Sequence, residues 1–221
     1  MTKRARGRFL VLDGPEGAGK TTQAERLVEA LRAEGRAAHV VHDPGSTPLS
    51  ERIRALLLDP TVSHIDPRTE VFLYMASRSE MVARVVAPAL ASGETVVSDR
   101  FVSSTVAYQG YAGGIDPEVI WEVWRLVSGG IEPDLTVVLD LDVDEGFTRI
   151  HGKKVLPDGQ VAFPFLRDRM EAKDRAYHEK VRQGFLAMAR ARPDRFAVVD
   201  ASRSPDEVAA AIRKAAARVL R

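Results

Sequence analysis

The sequence has no cysteine and no long apolar run, and each absence excludes a class of protein. A 221-residue chain without cysteine has no disulfide, thiolate metal site or cysteine nucleophile, which fits a reducing compartment. No stretch approaches the length of a membrane span. The apolar run behind the basic N-terminus ends at Asp13, which is too early for a secretory signal. The expected location is therefore the cytoplasm.

An excess of charge of one sign is also missing. The chain has 32 basic and 31 acidic residues, for a net charge of +1. No global field therefore favours nucleic acid or an anionic membrane, and we expect neither as a partner. A chain of this length can bury a sizeable core. We expect one α/β domain over residues 1–221.

A phosphate-binding pattern lies near the N-terminus. Residues 14–22 read GPEGAGKTT and match G-x-x-x-x-G-K-[ST], with an apolar strand before them and helical spacing of apolar residues after them. Glycines let backbone N–H groups approach phosphate oxygens, Lys20 adds charge for the terminal phosphates, and Thr21 offers a hydroxyl to Mg²⁺. The pattern predicts nucleoside triphosphate binding by Gly14, Pro15, Glu16, Gly17, Ala18, Gly19, Lys20, Thr21 and Thr22.

Strand and helix patterns alternate along the whole chain. The apolar runs predict five strands, at residues 9–12, 37–42, 95–98, 135–141 and 196–199. The long helices expected between them include one at 67–91 and one at 168–192, whereas 101–114 is expected to be a polar loop. This alternation predicts a three-layer α/β P-loop NTPase fold, a five-stranded parallel sheet with helices on both faces.

Further polar residues suggest a small kinase. Asp99 ends an apolar strand, as does the Mg²⁺-associated acid of P-loop proteins, and Arg100 beside it is placed to hold an anion. Tyr74 and Arg78 are four residues apart, so their side chains lie on the same face of one helix. The aromatic ring can stack on a base, and the guanidinium can donate hydrogen bonds to the edge of that base. A GTPase would need an asparagine to read guanine, and the chain contains none. An acceptor phosphate would be ionised near neutral pH and would need no general base.

Together these motifs resemble those of bacterial thymidylate kinases over nearly the whole chain. The matching stretches are residues 12–22, 43–45, 70–78, 99–101, 104–110, 168–171 and 199–201. The resemblance implies a kinase that phosphorylates dTMP with ATP and Mg²⁺. The metal would be held near Thr21, Asp99 and Asp43. Contacts with dTMP are implied for Asp13, Asp43, Tyr74, Arg78, Arg100, Thr105, Tyr108 and Gln109.

The resemblance also implies a flap, similar to a kinase LID, over about residues 151–167. Because Gly17 brings no cation to the phosphates, the flap has to supply it. Family members of this subtype use arginines there, whereas this chain reads RIHGKK over residues 149–154. The residues expected to take part in phosphoryl transfer are Asp13, Lys20, Arg100, Arg149 and Lys153. A homodimer through the 67–91 helix is expected because its first turns, residues 71–75, are apolar on nearly all sides.

Two alternatives stay open at the sequence level. A deoxynucleoside kinase would accept an uncharged hydroxyl and would need a carboxylate base, for which Asp13 could serve. A non-catalytic nucleotide-binding protein would account for the small number of flap arginines. Assays with nucleotide and nucleoside acceptors separate the three readings.

Overall fold

The centre of the molecule is a parallel β-sheet that carries the predicted strands. A computed structural model describes residues 6–62, 64–151, 154–155, 161–162, 169–171 and 173–220. The strands are β1 (Phe9–Asp13), β2 (Ala38–His42), β3 (Thr95–Asp99), β4 (Leu135–Asp140), the short antiparallel pair β5 (Lys154–Val155) and β6 (Val161–Ala162), and β7 (Phe196–Asp200). The main sheet has the order β2-β3-β1-β4-β7, and all of its pairings are parallel. The predicted fold class is confirmed.

Strand β1 shows why the sheet needs helices on both faces. All five of its residues are buried. Since successive side chains of a strand point to opposite faces, Phe9 and Val11 enter one hydrophobic core, and Leu10 and Leu12 enter the other. A continuous apolar run of this kind is typical of a strand that is covered on both sides.

Two groups of helices cover these two faces. The α-helices are α1 (Lys20–Ala33), α2 (Pro48–Leu58), α3 (Pro67–Met81), α4 (Ala87–Ala91), α5 (Val102–Thr105), α6 (Pro117–Val127), α7 (Val143–His151), α8 (Arg175–Ala191) and α9 (Pro205–Ala216). Helices α1 and α9 pack on the side of Leu10, whereas α3, α6 and α8 pack on the side of Phe9. In the described part of the chain, every helix is too short or too polar to cross a bilayer.

Polar side chains cap the N-termini of α3 and α9. The Asp66 carboxylate accepts hydrogen bonds from the backbone of Arg68 and Thr69, and Pro67 follows it at the first helical position. Ser204 forms a complete capping box with Glu207 at the start of α9. Each cap satisfies backbone N–H groups that have no partner within the helix.

The structure corrects three predicted elements. The 67–91 helix contains a π-helical turn, π1 (Val82–Val86), before α4. The segment predicted as a polar loop at 101–114 is mostly helical, with α5 followed by π2 (Val106–Ala112), and most of its side chains are buried. The predicted 168–192 helix begins at Arg175 instead, because Asp174 caps it by accepting a hydrogen bond from the Tyr177 backbone.

Candidate active site

A cleft of about 510 Å³ lies at the edge of the sheet where the strands end. Its walls are the glycine loop after β1, the segment after β2, one face of α3, the end of β3, π2 and the turn at residues 169–171. Because the carboxyl ends of parallel strands share one edge of a sheet, loops that are distant in sequence meet there. The glycine loop, the segment after β2, α3, the end of β3 and π2 each contribute a residue that the sequence singled out for phosphate or acceptor binding.

The glycine loop has the geometry of a phosphate cradle. Gly14, Gly17 and Gly19 have φ angles of 140°, 71° and 83°, a region that favours glycine. Helix α1 begins at Lys20 directly after the loop, so its N-terminal N–H groups and positive dipole end face the cleft. The loop and the helix therefore form the anion site that the motif predicts.

Lys20 is held inside this loop. It is buried, and its ammonium group donates a hydrogen bond to the Pro15 carbonyl oxygen at 2.7 Å. Burial, together with the positive charge of Arg100, lowers the pKa of Lys20 to about 8, although the neighbouring carboxylates oppose this shift. Lys20 is therefore mostly charged at neutral pH but loses its proton more easily than an exposed lysine.

Thr21 and Asp99 lie together at the start of α1. The Thr21 hydroxyl donates to Asp99 Oδ2 at 2.5 Å, which joins the glycine loop to the end of β3. Asp99 Oδ1 and Asp43 Oδ1 are buried and accept no hydrogen bond within the described residues. The backbone N–H of Asp43 donates to the Asp99 carbonyl oxygen at 3.0 Å, so the two acids follow neighbouring strands. Hydroxyl and carboxylate oxygens of this kind fit Mg²⁺.

Arg100 is the cation at the centre of the cleft. Its φ angle of 68° is unusual for a residue other than glycine. Its guanidinium binds both carboxylate oxygens of Glu16 at 2.8 Å and lies 5.3 Å from the centre of the Tyr108 ring. The Tyr108 hydroxyl also donates to Glu16, at 2.6 Å.

These contacts determine the charge of Glu16. Burial alone would raise its pKa, but the charges of Arg100 and Lys20 and the hydrogen bond from Tyr108 lower it to about 2. Glu16 is therefore ionised throughout the physiological range. In this structure it occupies the binding surface of Arg100 that an anion would use.

A second buried cluster lies on the α3 side of the cleft. Arg78 donates to Asp43 at 2.5 Å and to the Thr105 hydroxyl at 2.9 Å, and its side chain is 1% exposed. Tyr74 lies one helical turn before Arg78 and lines the same cleft. The structure therefore brings together residues that the resemblance assigned to the acceptor, from three separate elements.

Asp13 lies directly before the glycine loop, at the end of β1. It is fully buried and does not line the cleft. Its carboxylate accepts hydrogen bonds from Ser103 and Ser104 at 2.6 Å each, and from the Gly14 backbone at 3.2 Å. Asp13 therefore stabilises the start of the glycine loop through buried hydrogen bonds. The carboxylate of this region that lines the cleft is that of Glu16.

Of the two expected flap cations, Arg149 lies within the described residues. Arg149 on α7 forms an ion pair with Glu145 one turn earlier, at 2.7 Å, and does not line the cleft. Lys153 lies outside the described residues, as does most of the 151–167 segment.

Helix α7 nevertheless contacts the glycine loop directly. A Cβ atom added to Gly146 would lie 2.4 Å from the Glu16 carbonyl oxygen, and one added to Gly17 would lie 2.3 Å from the Gly146 carbonyl oxygen. Two glycines therefore allow the backbone of α7 to pack against the backbone of the loop.

Sequence reasoning named Glu16 only as part of the triphosphate loop, and it assigned no individual role to Ser104 or Arg54. The contact of Glu16 with Arg100 was not foreseen, since the pattern leaves this loop position variable. Ser104 lines the cleft and contacts both Asp13 and Arg100. Arg54 on α2 also lines the cleft and donates to the Pro44 carbonyl oxygen at 2.9 Å. Of these residues, only Ser104 could have been suspected as a site residue from the sequence, because it closely follows the Asp99-Arg100 pair.

Comparison with known proteins agrees with this geometry. The thymidylate kinase family model matches residues 12–212. The thymidylate kinase of Deinococcus radiodurans is 46% identical over 208 residues, which are 94% of this chain and 95% of the relative. That of Desulfosudis oleivorans is 44% identical over 211 residues, or 96% and 97% of the two chains.

A solved structure shows the same architecture. The crystal structure of thymidylate kinase from Ehrlichia chaffeensis superposes with a TM-score of 0.73 at 28% identity, and the match covers 95% of this chain and 98% of that one. The sheet, the glycine loop and the cleft thus occur in a fold shared with its relatives. The chain belongs to the thymidylate kinase family.

Proposed function

We propose that this protein transfers the terminal phosphoryl group of ATP to the phosphate of dTMP, which gives ADP and dTDP. One observation carries the proposal. The glycine loop and the cluster formed by Asp43, Arg78 and Thr105 open into the same cleft, which Arg100 also lines. A donor triphosphate and a nucleotide acceptor can therefore meet at one cation. The family membership supports this reaction.

On the donor side, the glycine loop binds the ATP phosphates through backbone N–H groups. Lys20 exchanges its contact with the Pro15 carbonyl for the terminal phosphates. Thr21 and Asp99 would hold Mg²⁺, which when bound would supply positive charge to neutralise the phosphate oxygens. Asp43 lies next to Asp99 and has a free buried oxygen in the described structure, so it serves the metal site or the acceptor phosphate.

On the acceptor side, Tyr74 stacks on thymine, and Arg78 with Thr105 bonds the polar edge of the base. Tyr108 and Gln109 enclose the sugar. Arg100 leaves Glu16 to bind the acceptor phosphate, which is ionised near neutral pH since its second pKa is about 6. Transfer then needs no general base and depends on positioning and charge neutralisation.

Glu16, rather than Asp13, is the loop carboxylate assigned to the acceptor side. Glu16 lines the cleft and is free to accept a hydroxyl hydrogen bond once Arg100 has left. The carboxylate of Asp13 is already used by two serines and a backbone N–H group. Asp13 is therefore poorly placed to act as the base that a deoxynucleoside kinase would need.

Three further features belong to the proposal. Residues 151–167 form a flap that brings Arg149 or Lys153 to the transferred phosphate. The protein forms a homodimer through the 67–91 helix, where Phe72 is 61% exposed, next to α2 with Leu49 and Leu56 exposed. Its location is the cytoplasm, which fits a chain without cysteine.

The assay is a panel of acceptors with ATP and Mg²⁺. We expect turnover of dTMP to exceed that of dUMP, dCMP, dGMP and thymidine. A preference for thymidine would indicate a nucleoside kinase instead. Binding of ATP by calorimetry without product from any acceptor would indicate a non-catalytic nucleotide-binding protein.

A further inference from the structure

Glu70 on α3 is a buried carboxylate that does not itself line the cleft. Its side chain is 9% exposed. Oε2 accepts a hydrogen bond from the Gln109 side-chain amide at 2.7 Å, and Oε1 accepts one from the guanidinium of Arg169. The two oxygens are therefore engaged by two different parts of the chain.

Both partners of Glu70 belong to the walls of the acceptor side. Gln109 is part of π2 and lines the cleft. Arg169 lies in the turn after the 151–167 segment, and its Nε also donates to the Leu57 carbonyl oxygen at 3.1 Å. The neighbours Leu58 and Met170 line the cleft. One buried ion pair thus joins the end of α2, α3, π2 and the 169–171 turn.

Such a pair specifies position more than it contributes stability. When an ion pair is buried, the free-energy cost of removing both charges from water offsets much of their Coulomb attraction. Apolar residues of similar volume therefore often stabilise a protein equally well. Removing one partner alone, however, leaves a buried charge unpaired. The planar guanidinium also donates in fixed directions, so Arg169 fixes the turn relative to both Glu70 and Leu57.

We propose that Glu70 and Arg169 are positioning residues that hold Gln109 and the 169–171 turn around the acceptor nucleotide. The affinity for dTMP then depends on the pair, whereas the affinity for ATP does not, because the hydrogen bonds described for the pair reach Leu57 and Gln109 and none reaches the glycine loop. The proposal rests on the proposed function, since it takes this side of the cleft as the acceptor side.

The test compares two variants in binding and in turnover. Glu70→Gln removes the charge with little change in shape, and Arg169→Lys keeps the charge but cannot reach Leu57 and Glu70 together. For each variant, we expect the Kd and KM for dTMP to rise about tenfold, which corresponds to about 1.4 kcal/mol, with both constants for ATP within about twofold of wild type. The double variant should show the same increase in the Kd and KM for dTMP as each single variant, because both substitutions break the same interaction.

Two control variants separate positioning from stability. Glu118→Gln removes the acid of an exposed ion pair on α6 and should leave both nucleotides unaffected. Ile212→Val loosens the core on the other face of the sheet and should lower the melting temperature without a selective effect on dTMP. If Glu70→Gln does not fold, Arg169→Lys alone decides the question.

The outcomes distinguish the two proposals. Equal changes for ATP and dTMP, an unchanged dTMP affinity, or a dTMP effect of the same size in Ile212→Val would overturn the positioning role. Wild-type protein that neither binds nor phosphorylates dTMP would instead overturn the proposed function itself.

Discussion

At the residue scale, Arg100 is the side chain that joins the two halves of the cleft. Its guanidinium contacts Glu16 in the glycine loop and Tyr108 on π2. The backbone is held in its unusual conformation by a hydrogen bond from the Arg100 N–H to the Leu12 carbonyl oxygen, at 2.9 Å, and by one from the Ser98 hydroxyl to the Arg100 carbonyl oxygen, at 2.6 Å. Non-glycine residues in this conformation carry strain of about 1–3 kcal/mol and often occur at functional sites.

Substitution of Arg100 tests its assignment to the acceptor phosphate. We expect Arg100→Ala to lower kcat/KM for dTMP about 10²–10³-fold, since one preorganised charge contact in a transition state is worth this much. Steady-state kinetics with the panel nucleotides measures the effect. Arg125→Ala, on the exposed face of α6, should have near-normal activity, and near-normal activity of Arg100→Ala would reject its role.

The pKa of Lys20 predicts a pH dependence of ATP binding. Its pKa of about 8 in the nucleotide-free protein has to rise when a triphosphate binds, because negative charge favours the protonated form. Binding above pH 8 therefore takes up a proton, and ATP affinity falls as the pH rises from 8 towards 10. Calorimetry at pH 8.5 in two buffers of different ionisation enthalpy measures this uptake.

The control for this prediction is Lys20→Arg, whose guanidinium does not titrate in this range. It should show little proton uptake, even if its affinity is lower. Equal uptake by the wild type and Lys20→Arg would assign the proton to another group.

At the element scale, α7 is in close backbone contact with the glycine loop. The Gly146 Cα and the Glu16 carbonyl approach so closely that a side chain between them would have to displace one element. We expect Gly146→Ala to raise the KM for ATP about tenfold or more, since small displacements of a phosphate cradle are costly.

A second alanine variant on the same helix serves as a control. Thr148 is exposed and its hydroxyl donates only to the Asp144 carbonyl oxygen, at 2.8 Å. Thr148→Ala should therefore leave the KM for ATP within about twofold of wild type. If the KM of Gly146→Ala for ATP were also within about twofold of wild type, the contact between α7 and the glycine loop would have no effect on ATP binding.

Elements with strong local signals were predictable from the sequence, and those defined by packing were not. Strand β1 and the glycine loop follow from a buried apolar run and a motif. The 101–114 segment was misread because its glycines indicated a loop. In the structure, Gly110 allows π2 to pack near Ile120 of α6, and Gly184 allows α8 to pack against Tyr111. Glycine there provides space for helix packing.

At the scale of the whole molecule, the site depends on contacts that no local pattern contains. Arg100 and Glu16 are 84 positions apart, and Arg169 and Glu70 are 99 apart. The sequence identified the residue types and the strand ends that carry them, as for Asp99. The pairing of one strand with another, and hence the meeting of these side chains, is defined by the assembled sheet.

The proposed homodimer gives a prediction at this scale. Phe72 on α3 is 61% exposed, which is unusual for a large aromatic side chain without a partner. We expect Phe72→Glu to shift the protein from dimer to monomer in sedimentation velocity, because a twofold interface would bring two buried charges together. Val198→Glu, on the edge strand β7, should stay dimeric. A wild-type monomer would contradict the proposal.

In the proposed reaction, the ion pair between Glu16 and Arg100 would make the cleft selective among anions. A phosphate group reaches Arg100 only by displacing a carboxylate that binds the guanidinium with both oxygens. A free phosphate ion has to compete at its bulk concentration. The phosphate of a nucleotide is tethered to a base and sugar already bound nearby, so its effective concentration is far higher. The loop carboxylate would therefore compete with small anions for Arg100 and would be displaced by a complete nucleotide.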